Sequence, residues 1–156
     1  MPLDPEILRD FQRETQRILG ELEDVVDSLE SGGTDFPEAG LKEFAQKVDR
    51  IMGAAKSLLV MDPGRKSLSR IAELAEICKT IGYQATALQR GSLIPLFTAF
   101  WADTIETMAA LTAKLEDPEA IVDTSVLRKR LEWLAAKVAP TNDVEKHKVS
   151  AFLKKL

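Results

Sequence analysis

The sequence predicts an all-α protein, an antiparallel up-down four-helix bundle with additional C-terminal helices. Three observations carry this. Apolar residues recur at steps of three and four along most of the chain, the spacing of one helical face. Gly and Pro cluster between those stretches, where they end helices and make turns. No stretch shows the alternation of a half-buried strand. Short connections between long amphipathic helices favour antiparallel neighbours.

The first helix is marked by Leu8, Phe11, Thr15, Ile18, Leu22, Val25 and Leu29, with charged and amide residues on its other face. Asp4-Pro5 supplies an N-cap and a proline in the first turn, and Ser31-Gly32-Gly33 is expected to end the helix through a left-handed glycine cap. A second helix should begin near Pro37, carry Leu41, Phe44, Val48, Ile51, Ala55, Leu58 and Leu59, and break at Asp62-Pro63-Gly64. The third runs from about Ser67 through Leu68, Ile71, Leu74, Ala75, Cys78 and Ile81, with Gly82 expected to end or bend it. Gly91-Ser92 opens a fourth, with Leu93, Phe97, Phe100, Trp101, Ile105, Met108, Leu111 and Leu115, stopped by Asp117-Pro118. A fifth starts around Thr124 on a stripe of Val126, Leu127, Leu131, Leu134 and Val138. Pro140-Thr141-Asn142 then separates a short amphipathic segment holding Val144, Val149, Phe152 and Leu153. The domain reading is one bundle over 1–139 and a short C-terminal helix or tail over 140–156.

A chain of 156 residues suits one domain that needs no metal or disulfide to build a core. Its net charge of −4 argues against nucleic acid as a partner, because that requires a basic face. The one basic cluster, Lys146, His147, Lys148, Lys154 and Lys155, reads as a solvated helix face. Cys78 is the single cysteine, so no intramolecular disulfide forms; on its helical stripe it reads as a small core residue. The N-terminus, acidic and without an apolar core, is not a signal peptide, and Met1 reads as a natural start. No apolar run is long enough to span a membrane. The expected location is the cytoplasm.

No constellation for catalysis or cofactor binding stands out. The one histidine, His147, lies among charged residues far from Cys78, which rules out the usual zinc sites and nucleophilic triads. No glycine-rich phosphate loop is present, and Met61 to Ser67 reads as a turn. Phe97, Phe100, Trp101 and Trp133 are expected in the core, with an indole at an interface as the alternative for Trp133.

The second helix carries a more specific pattern. Leu41-Lys42-Glu43-Phe44-Ala45-Gln46-Lys47-Val48-Asp49-Arg50-Ile51-Met52-Gly53-Ala54-Ala55-Lys56-Ser57-Leu58 resembles the helix of histidine phosphotransfer (HPt) domains, whose motif has the form H-x-x-K-G-S/A-A/S. Phe11 to Glu23 looks like that family's opening helix, and Ile71 to Ile77 like its third, so the likeness covers about residues 6–115. The motif departs at two positions. Asp49 stands where the family has its phosphorylated histidine, and Met52 where it has lysine; Gly53, Ala54 and Ala55 are retained. The relay needs an imidazole nitrogen, so the resemblance implies a pseudo-HPt, a docking surface without phosphotransfer.

Periodicity places Gln46, Asp49, Arg50, Gly53 and Lys56 away from the apolar stripe of this helix. These residues, with Met52, form the expected partner-binding face. The expected function is a non-catalytic binding module of two-component or chemotaxis-type signalling that docks a response-regulator receiver domain or a histidine kinase. In the family the small residue lets a receiver come close; the alternative is that Gly53 admits a neighbouring helix of the same bundle. Two other functions remain open. One is a phosphatase of receiver aspartyl phosphate using Gln46 with Asp49 or Glu43. The other is a structural bundle, such as a homodimer, favoured by the coiled-coil-like stripe of the first helix. No cofactor is expected.

Overall fold

Asp4 begins the first helix as its sequence implies: its carboxylate accepts the Glu6 N–H at 2.8 Å, and Pro5 occupies the first turn. The structure, a computed structural model, describes residues 3–32, 36–89, 91–120 and 122–139. Among these are five α-helices and no strand: α1 (Pro5–Glu30), α2 (Glu38–Met61), α3 (Lys66–Leu88), α4 (Ile94–Ala113) and α5 (Ser125–Lys137), with a 3-10 turn at Gly91–Leu93 leading into α4. None of these helices is long and apolar enough to cross a membrane.

Pairs of touching residues fix the topology. Glu14 meets Arg50 and Glu21 meets Lys47, so α1 and α2 are antiparallel. Asp49 meets Lys79 and Lys56 meets Glu76, so α2 and α3 are too. Arg65 before α3 donates to the Leu115 carbonyl beyond α4. Gln12 Nε2 donates to the Thr112 carbonyl at 2.9 Å, closing the ring between α1 and α4. The up-down four-helix bundle is therefore present, and α5 is the additional helix, packed against α3 and α4. Arg128 lies 3.6 Å from Glu73 of α3, and Arg130 lies 3.8 Å from Asp103 of α4.

One apolar cluster fills the ring. At its centre Trp101 of α4 stacks on Phe44 of α2, with ring centroids 3.8 Å apart and planes 8° apart, and Phe97 stacks beyond at 5.5 Å. Cys78 is wholly buried, and that burial pushes its thiol pKa up to about 12, so it is a core residue with no thiolate to offer. Buried threonines of α3 and α4 do not orphan their hydroxyls: Thr86, Thr104 and Thr112 each donate to the carbonyl four residues back.

Several expectations need correction. Gly82 does not end α3, which continues to Leu88 and closes on Gln89 in the left-handed conformation at φ 55°. A Cβ on Gly82 would sit 2.9 Å from the Ala45 Cβ, so the glycine lets α2 and α3 approach closely. At the end of α1 the cap is Ser31, whose N–H and hydroxyl both donate to the Asp27 carbonyl; neither Ser31 nor Gly32 is left-handed. α4 finishes at Ala113, ahead of Asp117-Pro118, in a turn that buries Leu115. Leu59 is only partly buried, as is Phe100. On α5, Val126 is 59% exposed and Trp133 47% exposed; Trp133 meets Phe100 edge-on and has the Lys137 ammonium 5.3 Å from its ring centroid. The segment 140–156, with its basic cluster and His147, lies outside the described residues.

Candidate functional site

α2 exposes one side because its neighbours take the others. Its apolar stripe, Leu41, Phe44, Val48, Ile51, Ala55 and Leu58, faces the core, and α1 and α3 flank it. The opposite side presents Gln46, Gly53, Ser57 and Val60, all exposed and separated by seven, four and three residues. Gln46, Arg50, Gly53 and Lys56 thus stand at the surface as their spacing requires, with Asp49 partly exposed beside them. Met52 differs: it is partly buried against the core, so it supports this face from beneath.

Ion pairs hold the face on both flanks. Toward α3, Asp49 Oδ1 lies 3.0 Å from Lys79 Nζ and Lys56 Nζ lies 2.9 Å from Glu76 Oε1. Toward α1, Arg50 lies 3.0 Å from Glu14, and Lys47 reaches Glu21 at 2.6 Å. Arg17 joins the second group by contacting both Glu14 and Glu21. The Lys47 hydrogen bond holds the Glu21 carboxyl below the ordinary glutamate range, and the Arg17 hydrogen bond does the same for Glu14. These pairs are exposed enough that each adds little to global stability; their consequence here is orientation, because they fix the long side chains around Gly53 in pairs.

A pH dependence follows from the lowered glutamates. A carboxyl with a depressed folded-state pKa stabilises the fold above its unfolded pKa, about 4.3, and that contribution disappears as pH falls through the folded value. The α1–α2 edge is therefore expected to be tightest above about pH 5 and to loosen below about pH 4. Amide exchange of residues 14–21 and 47–50, followed against pH and corrected for intrinsic rates, should show this. Lys47→Met should remove most of the Glu21 share.

The two interior glycines of α2 and α3 play opposite parts. A Cβ added at Gly82 would strike Ala45, whereas a Cβ at Gly53 would meet no heavy atom within 4 Å. The idea that Gly53 admits a neighbouring helix is thus overturned; that role belongs to Gly82. Gly20, outward on α1, is equally open, so open space alone does not distinguish Gly53. Its surroundings do, since paired charges from three helices border it.

No family model, no curated protein and no solved structure matches this chain. The likeness of α2 to an HPt helix therefore rests on the residues themselves. Chemically the face offers one carboxylate already engaged by a lysine, an exposed amide, and a smooth backbone patch. Glu43 turns the other way, toward Lys47 at 3.9 Å, which leaves Gln46 and Asp49 as the acid–amide pair on the outward side. Among the described residues no three His, Cys, Asp or Glu side chains gather to hold a metal ion. Sequence reasoning missed Glu14, Glu76 and Lys79 as the partners of this face. Their charges were visible, but the register that brings them to α2 was not.

Proposed function

We propose that the chain is a non-catalytic protein-binding module of two-component or chemotaxis-type signalling. It docks a receiver domain, or a histidine kinase, through the outward face of α2 around Asp49 and Gly53. The observation that supports the reading is open space over Gly53 on a helix turn flanked by the ion pairs Asp49–Lys79, Lys56–Glu76 and Arg50–Glu14. A glycine inside an exposed helix costs about 1 kcal/mol relative to alanine, and nothing within the bundle offsets that cost here. A partner whose backbone or side chains lie flat on α2 at this point supplies a reason. The pattern Gly53-Ala54-Ala55 matches the HPt motif at the same place.

Asp49 makes the module a binder and not a relay. Its carboxylate has no nitrogen to carry a phosphoramidate, and it is paired with Lys79. On the bound partner, Asp49, Arg50 and Lys56 would contribute charge contacts at the rim, which set orientation and association rate more than affinity. Titration of the labelled protein with receiver domains from its own cell tests this. Saturable binding in the micromolar range is the expected result, and no binding up to high micromolar concentration contradicts it. Faster loss of receiver phosphate, abolished in Gln46→Ala, would replace docking with phosphatase activity.

A further inference from the structure

α5 buries Leu127, Leu131, Leu134 and Ala135 and packs on α3 and α4, which fixes what its outer side presents. Lys129, Arg130, Trp133 and Lys137 follow Val126 by three, four, seven and eleven residues, so the five share one stripe. All five are exposed. The stripe holds three cations, two apolar side chains and no acid. α5 as a whole has four basic residues to one acid, on a chain whose net charge is −4. It is a basic face on an acidic protein.

The middle of the stripe is an aromatic ledge. Trp133 is 47% exposed and meets Phe100 of α4 edge-on, with ring centroids 6.3 Å apart, and Phe100 is itself partly exposed. Cations stand about one helical turn away on both sides: Lys129 and Arg130 before the indole, Lys137 after it. The Lys137 ammonium lies 5.3 Å from the indole centroid, and Arg130 is 3.8 Å from Asp103 with both side chains about half exposed. Tryptophan and arginine together are the residues that most often anchor protein interfaces. Acids would complement the cations, and an apolar side chain would cover the ring. The width of the stripe selects among anionic partners. Glu132, paired with Arg128, borders it toward α3, and Asp103 borders it toward α4. A broad phosphate surface, such as a membrane or a nucleic-acid duplex, would meet those carboxylates. A single helix laid along the stripe avoids them, with acids one turn either side of an apolar residue.

We infer that the outer stripe of α5 docks an acidic amphipathic helix of a partner protein. Its carboxylates meet Lys129, Arg130 and Lys137, and its apolar side chains cover Val126 and the Trp133–Phe100 ledge. One helix on one helix is a small interface, so the association is weak and sensitive to salt. The stripe shares no residue with the α2 face, so the two readings fail independently.

The test is fluorescence anisotropy of a labelled helical peptide of Glu, Ala and Leu, its leucines on one stripe flanked by glutamates, titrated with the full chain. Saturable binding is expected, at least tenfold tighter than for a peptide of the same composition with its leucines scattered. Trp133→Ala should weaken it at least tenfold. So should Lys129→Glu with Arg130→Glu, a variant that leaves the buried stripe of α5 untouched. That variant should in turn bind the matching peptide with lysine in place of glutamate. No saturable binding would overturn the inference. Equal binding of both acidic peptides would overturn it as mere charge attraction. Tighter binding to phosphatidylserine vesicles than to the peptide would put a membrane in the partner's place. Self-association of the unlabelled chain, abolished by the charge reversal, would put a second copy there.

Discussion

Trp101→Ala is expected to cost about 3–5 kcal/mol, the range for removing a large aromatic from a packed core. Trp101 is wholly buried and joins α2 to α4 across the ring through its stack on Phe44. Truncation leaves Phe44 and Phe97 facing a void that the surrounding helices cannot close without shifting. Against a usual domain stability of about 5–15 kcal/mol, that is a large share. Trp101→Phe should cost less than half as much. It keeps the stack and removes a buried indole N–H that has no hydrogen-bond partner among the described residues, a group whose burial is itself costly by about 1–3 kcal/mol. Urea denaturation of the three proteins, compared at equal slope, measures both differences.

The glycine pair gives the second large effect, with opposite signs at two superficially similar positions. Gly82→Val should destabilise by about 2–3 kcal/mol, the cost of overpacking, because its first carbon would already stand 2.9 Å from the Ala45 Cβ and 3.4 Å from the Leu41 carbonyl oxygen. The whole α2–α3 contact would have to open, carrying Asp49 and Lys56 away from Lys79 and Glu76. Gly53→Ala should instead stabilise by about 1 kcal/mol, since alanine is the better helix former and nothing obstructs it. Thermal melts of the two variants should therefore move in opposite directions. A Gly53→Ala that destabilises would mean that this backbone is not helical as described.

These contrasts also show what the sequence could and could not convey. α1 was readable almost residue by residue, because a helix flanked by two neighbours and open to solvent must separate apolar from charged positions. α5 was less so. It packs mainly on α3 and α4, so its buried stripe is Leu127, Leu131, Leu134 and Ala135, with Val138 just past its end, and Val126 and Trp133 fall outside it. Gly82 was misread because its purpose lies in Ala45, thirty-seven residues earlier in the chain and on another helix. The α2 face was legible in its spacing, since helical geometry alone sends Gln46, Gly53 and Lys56 outward. Its ion-pair frame was not, because pairing Asp49 with Lys79 requires the inter-helix register, which is set by packing and not by local pattern.

The central claim is that α2 docks a partner over Gly53, and a matched pair of arginines tests it most directly. Gly20 and Gly53 are both exposed, both helical and both surrounded by open space, so arginine at either should leave helicity and melting close to wild type. Binding of the labelled protein to a cognate receiver domain would then be titrated for Gly20→Arg and Gly53→Arg. The docking account predicts wild-type affinity for the first and at least a tenfold loss for the second, about 1.4 kcal/mol or more. Equal affinities in both variants would contradict it and move the binding surface off α2.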